Sequence, residues 1–189
     1  MKPTSSTNKA ALRPPCRALL MDLAPASEGA IQAQLKQALP RLLGQGLRLG
    51  IYWPLPGEID LRPQGSGETV PWALPAIAAD QLTYRAWRPG DPLAADACGI
   101  PAPLGPALPA TELGCLLVPA LALDPRGVRL GYGGGWYDRL RADPLWRAVP
   151  SVVVLPRGCL KPALPRDPWD VPFDAWLDET GLHPCTDQT

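Results

Sequence analysis

Two short runs in this sequence are apolar without alternation. Leu116, Leu117 and Val118 sit within 113–123, and Val152, Val153 and Val154 sit within 151–155. A strand with one wet face alternates apolar and polar side chains. A strand buried on both faces does not, and such strands belong to sheets covered by helices on either side. Strands are also expected at 47–53, 82–87, where "LTYRAW" alternates, and 174–179. Ile31, Leu35, Leu39 and Leu42 recur at helical spacing, so a helix is expected over 27–44, with Ser27 at its start and Gly44 at its end. A second helix is expected from Trp136 onward. Strands separated by helices and long crossovers predict an α/β fold. It would be a single domain with a mostly parallel central sheet, flanked by helices in three layers.

The 189 residues suffice for one sizeable core, and neither a repeat nor a clean linker divides them. Residues 1–8 and 181–189 read as flexible ends around a domain at 9–180. Formal net charge is zero, which argues against a nucleic-acid partner. No apolar run is long enough for a membrane span, and the start lacks the pattern of a secretory signal, so the cytoplasm is the default location. The five cysteines, at 16, 98, 115, 159 and 185, are scattered and never form C-x-x-C, which disfavours zinc or a disulfide framework. The single histidine, His183, lies in the polar tail, a poor setting for a Ser-His-Asp or Cys-His mechanism.

The stretch with the most chemical content is "RLGYGGGWYDRL", residues 129–140. Residues without side chains let successive backbone N–H groups approach an anion closely. Arg129 adds a full positive charge with a fork that matches phosphate oxygens. Asp138, just past the glycines, suits a Mg²⁺ ion that bridges phosphate oxygens. The alternative is a flexible turn whose Asp138 pairs with a neighbouring arginine. The spacing matches neither the Walker loop nor the dinucleotide fingerprint.

The same stretch resembles the signature of the 5-formyltetrahydrofolate cyclo-ligase family, R-L-G-x-G-x-G-Y-Y-D, with Trp136 in place of the first tyrosine. Further segments agree in order. "KAALR" (9–13) is similar to an N-terminal K-x-x-L-R, "YWPLPGEID" (52–60) to the substrate loop, and "CGIPAP" (98–103) to G-I-P-x-P. "LLVPALALDPRGVRLG" (116–131) matches the strand leading into the signature, and "WDVPFDAWL" (169–177) the closing H-D-x-x-x-D segment. The resemblance implies an NagB/RpiA-like fold. It also implies an ATP- and Mg²⁺-dependent cyclisation of 5-formyltetrahydrofolate to 5,10-methenyltetrahydrofolate. ATP would phosphorylate the formyl oxygen, and N10 would then attack the activated carbon. Such phosphoryl transfer asks for positioning and charge neutralisation more than for a protein nucleophile.

Carried over by position, the resemblance implies that Lys9 and Arg13 contact ATP phosphates. Arg129, Leu130, Gly131, Tyr132, Gly133, Gly134, Gly135, Trp136 and Tyr137 would cradle the nucleotide. Tyr132 to Trp136 would also border the folate. Arg129 and Asp138 would act in catalysis, and Asp138 and Asp170 would hold Mg²⁺. Glu58 would bind the pterin edge, whose paired N–H donors suit a carboxylate, with Trp53 beside it. The folate substrate would be met by a monomer or weak homodimer.

Three departures from the family pattern stand out. Pro14 and Pro15 follow Arg13 and should hinder a helix through it. Residues 61–74 are too short for the helix expected there, leaving sheet surface for Trp72, Trp87 or a partner chain to cover. Gly158 and Cys159 stand where an acidic or amide pair is common. The first departure motivates an alternative reading as a non-catalytic or weakened folate- or nucleotide-binding member.

Overall fold

The computed structural model describes residues 5–44, 46–63 and 70–186. The strands are β1 (Arg48–Gly50), β2 (Trp72–Ala78), β3 (Gln81–Trp87), β4 (Leu93–Ala95), β5 (Pro101–Pro103) and β6 (Leu113–Pro119). They continue as β7 (Ala122–Leu123), β8 (Arg129–Leu130), β9 (Ser151–Val154), β10 (Ala175–Asp178) and β11 (Gly181–Pro184). The helices are α1 (Ser5–Leu42), α2 (Trp136–Ala142) and α3 (Pro144–Arg147).

Seven strands form one sheet in the order β11-β10-β9-β6-β1-β2-β3. Its five central strands run parallel, and β3 and β11 close the two edges antiparallel. The apolar runs fill the middle: all four residues of β9 are buried, and β6 is buried at every position except Gly114. From β1 the chain moves to β2 on one side, and β6 later returns on the other side. The strand order therefore reverses between β1 and β6, and the crevice beyond their carboxyl ends is where ligands enter such sheets.

Helix α1 corrects two expectations. It does not begin at Ser27 but at Ser5, and it runs unbroken through Pro14, Pro15, Pro25 and Pro40. A proline inside a helix costs about 3 kcal/mol relative to alanine. Two facts explain why α1 survives. All four prolines are exposed, as are Ala10 and Ala11, whose carbonyls lose their helical partners to Pro14 and Pro15. Water can reach those carbonyls, so none is left buried and unpaired. The opposite stripe is anchored: Lys9, Cys16, Leu20, Ala24, Ile31, Leu35, Ala38 and Leu42 are all buried.

The expected tail after residue 180 is also corrected. Residues 181–184 pair with β10, His183 stacks on Trp176 at 5.1 Å, and its Nε2 lies 3.2 Å from Asp178 Oδ1. At the other end, Ser5–Asn8 belong to α1. The short 61–74 segment carries no helix among its described residues; 64–69 lie outside them. Trp72 and Trp87 face each other across β2 and β3 and are buried. Leu35 and Leu39 of α1 line a cleft of about 50 Å³ with Trp72, so α1 itself roofs this part of the sheet.

Two polar hubs fix the segments around the crevice. The carboxylate of Asp124, fully buried, accepts from the Val128 amide, the Leu164 amide and the Arg126 guanidinium, at 3.1, 2.9 and 2.6 Å. It holds the turn between β7 and β8, where Gly127 has φ 77° and a Cβ would strike the Phe173 carbonyl. Arg141 of α2 is buried and donates to Ser151 Oγ and to the Pro172 carbonyl at 3.0 Å, tying α2 to β9 and to the segment before β10.

Pro15→Ala should stabilise the protein by about 1–2 kcal/mol. It restores a helical N–H on an exposed face, partly offset by the greater freedom of the unfolded chain. A urea melt with a higher midpoint is the expected result; an equal or lower midpoint would show that the helix does not tolerate these prolines at a cost.

Candidate active site

A pocket of about 320 Å³ opens at the carboxyl ends of the central strands. The first turns of α1, the loop after β1, the glycine loop after β8 and the loop after β9 carry its polar groups, and the β2–β3 and β4–β5 pairs complete its wall.

The loop after β1 presents Glu58. Leu55-Pro56-Gly57-Glu58 is a tight turn, with proline at the second position and Gly57 at φ 89° at the third, the dihedral a type II turn requires. The Glu58 amide donates to the Leu55 carbonyl at 2.9 Å. In return the Leu55 amide donates to Glu58 Oε2 at 2.7 Å. Tyr52 Oη pins the loop through the Ile59 carbonyl at 2.8 Å. Glu58 is 8% exposed, and its Oε1 has no well-formed hydrogen bond, nor does the nearby Tyr132 hydroxyl. Burial raises the Glu58 pKa, against the Leu55 amide, the Tyr132 hydroxyl and the charges of Arg129 and Arg17, which lower it. Burial, then the Glu58 charge, raises Tyr132. Trp53 lines the pocket and carries the Arg62 guanidinium 4.1 Å from its ring centre. Arg62 is held in turn by Asp60 at 2.6 Å.

The glycine loop lies opposite. Gly133 and Gly135 have φ 106° and 65°, values that L side chains rarely adopt. A Cβ on Gly134 would stand 2.5 Å from Trp136 Nε1, and one on Gly133 would press on Arg13. The bareness of this stretch is thus a steric requirement. Arg13 Nε donates to the Gly131 carbonyl at 3.0 Å. Arg129 is more committed than its sequence suggests: Nη1 donates to the Pro119 carbonyl at 2.8 Å, and its guanidinium lies over Tyr137 and Phe173. Its Nε is buried without a partner.

Lys9 is buried and pairs with Asp167 at 2.9 Å and with Asp170. Asp138, at the start of α2, feels this cluster. Burial raises its pKa first; Arg129 lowers it, Asp170 raises it and Lys9 lowers it. Among the described residues, no group of three or more acidic, histidine or cysteine side chains is arranged to hold a metal alone. Two neighbouring carboxylates nonetheless fit a Mg²⁺ ion that takes its remaining oxygens from phosphates and water, as this ion commonly does. Relief of the repulsion between Asp138 and Asp170 would favour it.

The pocket thus gathers Lys9, Arg13, Trp53, Glu58, Arg129, Gly131, Tyr132, Gly133, Gly134, Gly135, Trp136, Tyr137, Asp138 and Asp170. Leu130 is the exception. Its side chain is 1% exposed, within the core, and its carbonyl accepts from the Leu121 amide at 2.9 Å. A hydrophobic residue in strand β8 is held by the hairpin and cannot turn to the pocket. Residues not singled out from the sequence also line it, among them Tyr52, Ile77, Leu82, Ile100, Asp167 and Trp169. Ile100 and Trp169 lay inside matched motifs, whereas Ile77 and Leu82 carried no local signal.

Helix α1 supports both sides of the pocket. Arg13 meets the glycine loop, and Gly57 packs so closely on Met21 that a Cβ would displace it. Glu28 accepts from the Asp60 amide at 2.8 Å, and Gln32 donates to the Asp60 carbonyl at 2.7 Å.

Comparison with known proteins agrees with this architecture. The model of the 5-formyltetrahydrofolate cyclo-ligase family matches residues 8–179. The 5-formyltetrahydrofolate cyclo-ligase of Haemophilus influenzae is 30% identical over 141 residues, covering 68% of this chain and 74% of the relative. That of Mycolicibacterium smegmatis is 40% identical over 93 residues, 48% of this chain and 47% of the relative. The 5,10-methenyltetrahydrofolate synthetase of Aquifex aeolicus, solved by NMR, superposes with a TM-score of 0.74 at 25% identity, covering 96% of this chain and 94% of that one. A helix-flanked, mostly parallel sheet with the glycine loop and the Glu58 turn facing one another across its switch point marks this chain as a member of the 5-formyltetrahydrofolate cyclo-ligase family.

Proposed function

We propose that the protein closes 5-formyltetrahydrofolate to 5,10-methenyltetrahydrofolate at the expense of ATP, releasing ADP and phosphate. The observation that carries this reading is the pairing of two unlike half-sites in one pocket. One is a buried carboxylate, Glu58, with the Tyr132 hydroxyl as its neighbour; the other is a bare loop beside Arg13, Arg129, Asp138 and Asp170.

Glu58 Oε1 accepts from the paired N–H donors of the pterin edge, and Trp53 borders the ring. The glycine loop amides and Arg13 hold the triphosphate. Lys9 has three N–H donors, two of them engaged by Asp167 and Asp170, and the third is free for a phosphate oxygen. Bound Mg²⁺, held by Asp138 and Asp170, would neutralise phosphate charge. Arg129 directs its charge toward the transferring group. The formyl oxygen takes the terminal phosphoryl group as ADP leaves. N10 then attacks the formyl carbon, loses its proton, and the C–O bond breaks to release phosphate. No protein nucleophile takes part: phosphoryl transfer of this kind is served by positioning and charge neutralisation.

The proline pair that motivated a non-catalytic reading leaves the helix whole and Arg13 against the glycine loop. No helix among the described residues is long and apolar enough to cross a membrane, and we assign the reaction to the cytoplasm.

The direct test is turnover of 5-formyltetrahydrofolate with ATP and Mg²⁺, followed by absorbance of the methenyl product; a folded protein with no turnover would refute the reading. Glu58→Gln should weaken folate binding about tenfold or more, because hydrogen bonds to a charged acceptor contribute about 1.5–3 kcal/mol. The same change should not lower thermal stability. A carboxyl whose folded pKa is raised destabilises the fold once pH rises through that value, and the amide removes this cost. In the wild type, folate affinity should fall on acidification from a pH above the ordinary glutamate range. Unchanged folate affinity in Glu58→Gln would reject the pterin assignment. Asp138→Asn should leave the protein folded while abolishing the rise of activity with Mg²⁺; a wild-type Mg²⁺ titration curve would reject the metal assignment.

A further inference from the structure

Trp169 is 65% exposed, an unusual place for the largest apolar side chain, and it borders the pocket. Three tryptophans line that pocket. Trp53 is covered by Arg62 at 4.1 Å and Trp136 by Arg139 at 4.4 Å. Among the described residues Trp169 has neither a cation nor a ring against it. Its backbone is fixed all the same. The Asp170 amide donates to the Asp167 carbonyl at 3.1 Å, and the Asp167 amide donates to Asp170 Oδ2 at 2.7 Å. Lys9 clamps both carboxylates, and Pro168 stiffens the turn between them. A rigid turn therefore holds a bare indole at the edge of the pocket, one residue from the acid assigned to Mg²⁺.

We propose that Trp169 is the stacking platform for the nucleobase. The inference rests on the reading above and follows from its order of groups. The terminal phosphate must reach the folate, which lies by Glu58. Glu58 sits on the loop after β1 and Trp169 on the loop after β9, with β6 between these two strands, so a base directed away from the folate runs past Lys9 and Asp170 toward Trp169. A flat heterocycle would cover apolar surface that the fold leaves in water, and stacking between a base and an aromatic side chain contributes about 1–3 kcal/mol.

The test compares Mg²⁺-ATP with Mg²⁺-tripolyphosphate, which has the charge and no base. Calorimetry on the full chain should give tighter binding of ATP than of tripolyphosphate in the wild type. Trp169→Ala should weaken ATP binding about tenfold and leave tripolyphosphate binding within twofold, and Trp169→Phe should recover most of the loss. In turnover, Trp169→Ala should raise the KM for ATP with little change in kcat or in the KM for folate. Equal weakening of both ligands would assign Trp169 to holding the turn and overturn the proposal. So would unaltered ATP binding in Trp169→Ala, or a wild type that binds ATP no better than tripolyphosphate. A wild type that shows the base-dependent difference but no turnover would keep the stacking role and refute the cyclo-ligase reaction instead.

Discussion

The ammonium group of Lys9 is buried between Asp167 and Asp170, and the arrangement of the pocket depends on it. An unpaired charge in that position would cost several kcal/mol, so the pair forms only if the first turns of α1 lie directly over the loop after β9. That placement brings Arg13, one turn further along, onto the Gly131 carbonyl. Three consequences share this one cause: the N-terminal helix closes the pocket, the 167–170 turn becomes rigid, and Asp138 acquires an acidic neighbour. One ammonium cannot neutralise Asp167, Asp170 and Asp138 together. Burial is the main cause that raises the Asp138 pKa, and the charge of Asp170 adds to it against Arg129 and Lys9.

The sheet supplies the second half of the logic. Its strand order reverses between β1 and β6. The chain leaving β1 carries Glu58, and the chain leaving β6 carries the glycine loop through the β7–β8 hairpin. The two loops diverge from adjacent strands and leave a crevice between them. A ligand recognised by a carboxylate and one recognised by amides and arginines can therefore meet end to end. The low-dielectric walls around Glu58 strengthen its bond to an N–H donor, at the cost of holding a charge there.

Much of this was legible in the sequence, for physical reasons. The buried strands β6 and β9 have no polar residue that a wet face would need, apart from Ser151, which bonds within the core to Arg141. Pro56-Gly57 spells its own turn, and the glycine run has a composition that packing alone does not ask for. Helix α1 was illegible because its local and tertiary terms conflict. Proline at 14 and 15 argues for a break, and only the exposed position of both rings and the buried stripe opposite resolve the conflict. Strand β11 was missed because Gly181–Pro184 has a polar look, and its stability comes from pairing with β10 and from the Trp176–His183 stack. Leu130 was placed in the site by its position in a motif, whereas the hairpin register turns it inward. Ile77 and Leu82 reach the pocket only through the β2–β3 pairing, which no local pattern encodes.

The contacts of α1 with both halves of the pocket make the helix a ruler. Arg13 touches the glycine loop and Met21 touches the turn that carries Glu58. Eight residues of helix separate them, or about 12 Å of rise. The distance between the two half-sites is thus written into a count of residues along one rod, and a single residue added between 13 and 21 would rotate one half-site about 100° away from the other. The prolines lie along the wet side of this rod, whereas its length between those two points sets the spacing of the half-sites.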